Sequence, residues 1–218
     1  MNLHLDSELF AEMIDTLNAR TGIALDIIEK DYYVCLILME IAKNQKESKA
    51  YFKGGTAVYK ILDKMNRFSE DIDVTVKVLK EESNTRNKNR LKQSALGYDL
   101  EGLELSKDET IDNKGSVTGI YKYKSVFDTE KMPLHRAGKI QVESTSFTVS
   151  EPAEKYTIAP LMYKLATNQE REILKEKFGV REFEIEIIKL ERMFIDKLFA
   201  AEFYYIRKMY MDTVKHLY

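Results

Sequence analysis

The stretch Lys53-Gly54-Gly55-Thr56-Ala57, followed after a short interval by Arg67-Phe68-Ser69-Glu70-Asp71-Ile72-Asp73-Val74, decides how this chain is read. Ala50-Tyr51-Phe52 is a short apolar strand running straight into Gly54-Gly55, and Thr56 stands where it caps a helix carrying Val58, Ile61 and Leu62. Glycines at a strand-to-helix junction let backbone N–H groups approach a phosphate closely, and the helix N-terminus adds a favourable dipole. Thr56 and Ser69 add hydroxyl donors. Ile72 to Val76 then reads as a strand from its β-branched content and alternation. Asp71 and Asp73 lie two apart, so both carboxylates emerge on one face while Ile72 and Val74 point into the core. Two carboxylates a pleat apart suit magnesium, a hard cation that completes its shell with water and phosphate oxygens. Such ions can activate an attacking hydroxyl and neutralise a leaving pyrophosphate.

Each half of this pattern has a plainer reading. A lone Gly-Gly is usually a turn, and a lone Asp-x-Asp is usually a solvated strand or loop face. It is their order, each at its expected structural junction, that makes the combination specific. A P-loop is disfavoured because no Gly-x-x-x-x-Gly-Lys-Ser/Thr occurs. An EF-hand is disfavoured because the Asp pair lacks the Gly and terminal Glu at loop spacing.

Outward from this core, Asp6 to Asn44 reads as two helices separated at Thr21-Gly22. Lys80 to Leu96 is a polar helix. Strands are expected at Leu100–Leu105, Val117–Phe127 and Lys139–Phe147, and past Pro152 the chain reads as helical except for the alternating Phe183-Glu184-Ile185-Glu186-Ile187. The strands cluster instead of alternating strictly with helices, so the fold class is mixed α/β with antiparallel elements. The expected division is a core over residues 1–150 and a mainly helical part over 151–218.

Composition sets wide bounds. The 218 residues are 44% hydrophobic and 32% charged, as in a soluble globular protein, with a formal net charge of −2 that announces no nucleic-acid binder. The single Cys35 excludes an internal disulfide and a multi-cysteine zinc site, and its apolar surroundings predict a buried, inert thiol. No signal-peptide pattern opens the chain and no apolar run is long enough to span a bilayer, so no membrane association and a cytoplasmic location are expected.

The Gly-Gly-Thr-Ala element with Arg-Phe-Ser-Glu-Asp-Ile-Asp resembles the AbiEii/AbiGii nucleotidyltransferase toxins, of the DNA polymerase β-type superfamily, whose mycobacterial relatives are the MenT toxins. Ile28-Glu29-Lys30-Asp31-Tyr32 is similar to an element preceding that core in the family. Leu190 to Leu198 resembles its later lysine-bearing helix, and Tyr210 to Tyr218 its closing motif. The resemblance implies a small mixed sheet flanked by helices, with a helical C-terminal part. By position it implies that Lys53, Gly54, Gly55 and Thr56 hold triphosphate with Arg67 and Ser69 beside them. Asp71 and Asp73 would bind Mg2+ or Mn2+, and Lys197 would neutralise triphosphate charge in the transition state. Superfamily members commonly add a third carboxylate from a neighbouring strand, for which Glu143 in Lys139-Ile140-Gln141-Val142-Glu143 is the candidate; its plainer role is an exposed strand glutamate. Arg67 has an alternative role as a structural partner for Glu70. The family places an Asp directly after its closing motif, where this chain ends at Tyr218; the expectation is a shortened chain that binds nucleotide and turns over poorly.

The activity implied is transfer of a nucleoside monophosphate from an NTP to an acceptor, by the toxin of a type IV-like toxin–antitoxin or abortive-infection system with a cognate antitoxin. Transfer of nucleotides to tRNA 3′ ends by the MenT-type relatives makes tRNA the leading acceptor. Lys77, Lys80, Arg86, Lys88, Arg90 and Lys92, with Tyr121-Lys122-Tyr123-Lys124, offer charge for a phosphate backbone, or simply solvated faces. Competing readings are transfer to a small molecule and a catalytically idle nucleotide- or protein-binding module. Phe203-Tyr204-Tyr205 with Tyr210 is read first as core packing, with base stacking the alternative.

Overall fold

The computed structural model describes residues 1–63, 69–128 and 138–217. Arg67, one of the expected nucleotide contacts, lies outside them.

Two helices open the fold. Asp6 caps α1 (Ser7–Thr21) by accepting the Leu9 N–H, and Gly22, left-handed at φ 73°, ends it. The second helix, α2 (Leu25–Ser48), is buried along most of its length. It leads into β1 (Ala50–Lys53), α3 (Gly54–Leu62), β2 (Ile72–Val76) and α4 (Asn84–Leu96), the last capped by Ser83. β3 (Leu103–Leu105), β4 (Ile111–Asn113), β5 (Ser116–Tyr123) and β6 (Lys139–Thr145) follow. Then come β7 (Ala153–Ile158), α5 (Leu161–Leu165), α6 (Asn168–Phe178), β8 (Phe183–Ile188), α7 (Leu190–Ile206) and α8 (Tyr210–Leu217).

The strands form one mixed sheet in the order β3-β5-β6-β2-β1-β8-β7, with β4 paired to β5. β2 runs parallel to β6 and antiparallel to β1, and β8 lies parallel to β1. Period-two alternation gives the sheet two unlike faces. Phe52, Ile72, Val74, Ile140, Val142 and Ile187 project to one side and are fully buried in the main core with α2. Lys53, Asp73, Glu143 and Thr145 share the register rows of the other side.

Three details differ from the sequence reading. α3 begins at Gly54 with Lys53 in the capping position, and Thr56 sits inside the helix instead of capping it. β7 was read as part of a helical region. It is an edge strand whose outer positions are exposed and whose existence depends on pairing with β8, a long-range contact that leaves little periodicity in the sequence. Phe203, Tyr205 and Tyr210 are exposed and do not pack in a core.

Candidate active site

The site is built by strand register. Lys53 on β1 pairs across to Asp73 on β2, and Asp73 pairs across to Glu143 on β6. Adjacent strands lie about 4.8 Å apart, so an ammonium and two carboxylates stand in one row. Asp71 immediately precedes β2, two residues from Asp73 and on the same side. The expected third carboxylate thus falls beside the Asp pair, where Ser116 on β5 donates a 3.2 Å hydrogen bond to Glu143 Oε1.

Next to this row stands the N-terminus of α3. Its capping residue, Lys53, supplies no side-chain hydrogen bond, so the first backbone N–H groups are open to a ligand. Gly54 is required here twice over. Its φ is +84°, and a Cβ built on it would fall 2.1 Å from Asp73 Oδ2. Gly55 is confined by the Ser69 hydroxyl, 2.9 Å from where its Cβ would lie. Thr56, expected to reach phosphate, has its hydroxyl turned elsewhere: it donates to the Asp71 carbonyl at 2.5 Å and lies 2.9 Å from the Ser69 hydroxyl. It therefore ties α3 to the segment that presents the carboxylates.

Lys53 is held in place by the hydroxyls of Thr145 (3.1 Å) and Thr148 (2.9 Å). Burial lowers its pKa, while Asp73, Glu143 and Asp196 act in the opposite direction. Asp73 is pushed up to about 6 from 3.8, first by burial and then by Glu143 and Asp71; Lys53 and Lys197 pull it down. That mutual influence places Lys197, on α7, within electrostatic reach of Asp73, and Asp196 within reach of Lys53.

The donor set is all carboxylate oxygen, as a hard divalent cation prefers. Ionised Asp73 bears a burial and repulsion penalty that a dication between Asp71 and Asp73 would relieve. Among the described residues, no three His, Cys, Asp or Glu side chains are gathered closely enough to form a complete metal cage. The fit is therefore to an ion held by one or two carboxylates and completed by substrate oxygens, as magnesium commonly is.

Sequence reasoning did not single out Ser116, Thr75, Thr145 and Thr148, although the run Glu143-Ser144-Thr145-Ser146-Phe147-Thr148 is conspicuously hydroxyl-rich. It also assigned no contacts to Glu29, Lys30 and Asp31. Of the two basic stretches, α4 packs on the face opposite the carboxylates. Lys88 and Lys92 pair with Asp112, and Arg90 pairs with Glu82. In the second stretch Tyr121 and Tyr123 are buried, and Lys122 pairs with Glu109.

The sheet thus presents paired carboxylates beside a glycine-led helix N-terminus, donors and acceptors suited to a phosphate and a hard cation. Comparison with protein families matches residues 36–218 to the one described as nucleotidyl transferase AbiEii toxin, type IV TA system, and the chain belongs to that family. Among solved structures, the nucleotidyltransferase toxin MenT4 from Mycobacterium tuberculosis H37Rv aligns at a TM-score of 0.51 with 16% identity, over 88% of this chain and 57% of that one. JHP933 from Helicobacter pylori aligns at 0.41 with 20% identity, over 79% of this chain and 57% of that one. The chain thus spans a little over half the length of either structure, and the first of them shows a shared fold. Comparison with curated proteins gives no match. No helix among the described residues is long and apolar enough to cross a membrane.

Proposed function

We propose that this chain is the toxin of a type IV-like toxin–antitoxin or abortive-infection system, acting in the cytoplasm as a metal-dependent nucleotidyltransferase with a cognate antitoxin as partner. The observation that carries this reading is the register row Lys53–Asp73–Glu143 beside the open N-terminus of α3. The triphosphate lies against the backbone N–H groups of Gly54 and Gly55, with Ser69 beside it and Thr56 bracing α3 to Asp71. Asp71 and Asp73 would hold Mg2+ or Mn2+, and Glu143, level with Asp73 on β6, adds negative charge beside them. The ion, when bound, supplies Lewis-acid stabilisation of the triphosphate charge. Lys197 approaches from α7 and adds positive charge where negative charge builds up in the transition state. Lys53, tethered by Thr145 and Thr148, compensates the carboxylate row from within. The acceptor oxygen bonds to the α-phosphorus, the bond to the pyrophosphate leaving group breaks, and the hydroxyl proton passes to the carboxylate cluster.

The acceptor proposed is tRNA. Its support is the likeness of the motifs to those of the MenT-type toxins, because α4 packs on the opposite face, where Lys88, Arg90 and Lys92 are paired with carboxylates. The test is transfer of labelled nucleotide to total tRNA with magnesium, comparing the chain with Asp71→Asn and Asp73→Asn. Label on tRNA that both substitutions abolish is expected. Equal transfer by the variants would remove the metal assignment, and label confined to small hydroxyl acceptors would replace tRNA.

A further inference from the structure

Three consecutive residues of α2, Glu29, Lys30 and Asp31, are buried, although such side chains are rarely fully buried without partners. Each grips a different wall of the site. Glu29 accepts from the Ser125 hydroxyl at 2.7 Å and the Val126 N–H at 2.8 Å, just beyond β5. Asp31 accepts from Lys60 at 2.5 Å and from the Leu161 N–H at 2.6 Å, which fixes α3 against the start of α5. Lys30, 1% exposed, lies 3.1 Å from Glu70 and donates to the Lys139 carbonyl.

These contacts of Lys30 with the described residues have a property that those of Glu29 and Asp31 lack. Glu70 is the residue before Asp71, and Lys139 opens β6, the strand that carries Glu143. One ammonium therefore spans the two chain segments from which all the site's carboxylates emerge, reaching them from the covered face of the sheet. β2 and β6 are parallel neighbours, so a shift of either along its length would break the Asp73–Glu143 register. A buried cation ion-paired to one segment and hydrogen-bonded to the other opposes such a shift electrostatically, which an apolar side chain of the same volume would not.

We propose that Lys30 is a positioning residue, which holds Asp71 and Asp73 in register with Glu143 by bridging Glu70 and the Lys139 carbonyl. It touches neither nucleotide nor metal. The inference rests on the proposed metal-dependent transfer, and its test separates the two.

The experiment compares the full chain with Lys30→Met, Glu70→Gln and the double variant. Mn2+ alone is titrated by electron paramagnetic resonance, and transfer kinetics are normalised to folded protein. Lys30→Met is expected to weaken Mn2+ binding at least tenfold and to lower kcat at least tenfold, with KM for the NTP changed less than threefold. Glu70→Gln is expected to weaken Mn2+ binding three- to tenfold, and the double variant to be no worse than Lys30→Met, since both changes sever one bridge. A merely structural role would lower the melting temperature while leaving Mn2+ affinity and kcat per folded molecule unchanged, and that result would overturn the proposal. Should Lys30→Met fail to fold, Glu70→Gln decides by itself: unchanged Mn2+ affinity overturns the bridge. A parent chain that binds no Mn2+ would instead overturn the metal-dependent function on which the inference stands.

Discussion

α2 and α7 each carry a lysine that bears on the carboxylate segments, and they invert the usual rule in opposite ways. α2 takes Glu29, Lys30 and Asp31 into the interior, whereas α7 leaves Phe194, Leu198, Phe199 and Ile206 in solvent, the last two 65% and 69% exposed. The reason for the first is partnership. Burial by itself would lower the Lys60 pKa, yet Asp31, with Cys35 and Tyr59, raises it, so the ammonium stays charged in the core. The same burial pushes the Cys35 thiol up to about 12, consistent with an inert cysteine. The reason for the second is geometry. α7 packs chiefly on α8, and its inward positions go to Met193, Lys197 and Ala201, which leaves the apolar remainder outside. Residue type does not set burial here; the partners that the fold supplies do.

That contrast can be broken most forcefully at Asp31. Asp31→Ala leaves the Lys60 ammonium buried without its counter-charge, and a loss of about 3–5 kcal/mol in urea unfolding is expected. A loss below about 1 kcal/mol would mean that α2's charges do not depend on their partners.

Asp73 is expected to show the opposite sign. Its folded pKa, about 6, lies above the ordinary 3.8, so the folded state holds more protons between those values. Stability of the metal-free protein should therefore fall as pH rises through that window, and divalent-metal affinity should rise. At neutral pH Asp73→Asn should stabilise the metal-free chain by about 2 kcal/mol and abolish transfer. Magnesium should raise the melting temperature of the parent chain and not that of the variant.

Gly54→Ala is expected to cost about 1–2 kcal/mol from its positive φ. It should also lower transfer at least tenfold, because the added methyl displaces Asp73. Calorimetry and transfer assays on one preparation would show both. The smallest effect belongs to α7: Phe199→Ser should change unfolding free energy by less than about 0.5 kcal/mol, as exposed positions generally do. A larger loss would show that this face is covered in solution.

Much of the site was legible in the sequence. Asp71 and Asp73 were placed by alternation, Gly54 by its junction, and β2 was read with its observed bounds, because each of these depends on residues within a few positions. Glu143 was named as a candidate third carboxylate; it stands level with Asp73 on the neighbouring strand, but the three carboxylates do not gather into a metal cage. Thr56 was misread as the helix cap; it sits inside α3, and its hydroxyl contacts Ser69 and Asp71, 13 and 15 residues away. Lys197 carried no local signal and was reached through the family motif alone.

The sequence by itself determined the local conformations: a glycine-led helix after a strand, two carboxylates on one face of the next strand, and mixed α/β class. Those follow from backbone sterics and side-chain periodicity, which act over short distances. Only the tertiary structure decided that β6 lies parallel to β2, with Glu143 level with Asp73, and that Lys197 of α7 comes within electrostatic reach of Asp73. Only there, too, does Lys30 meet both Glu70 and the Lys139 carbonyl. Such contacts join residues tens of positions apart and depend on how whole strands and helices pack, which no local pattern records.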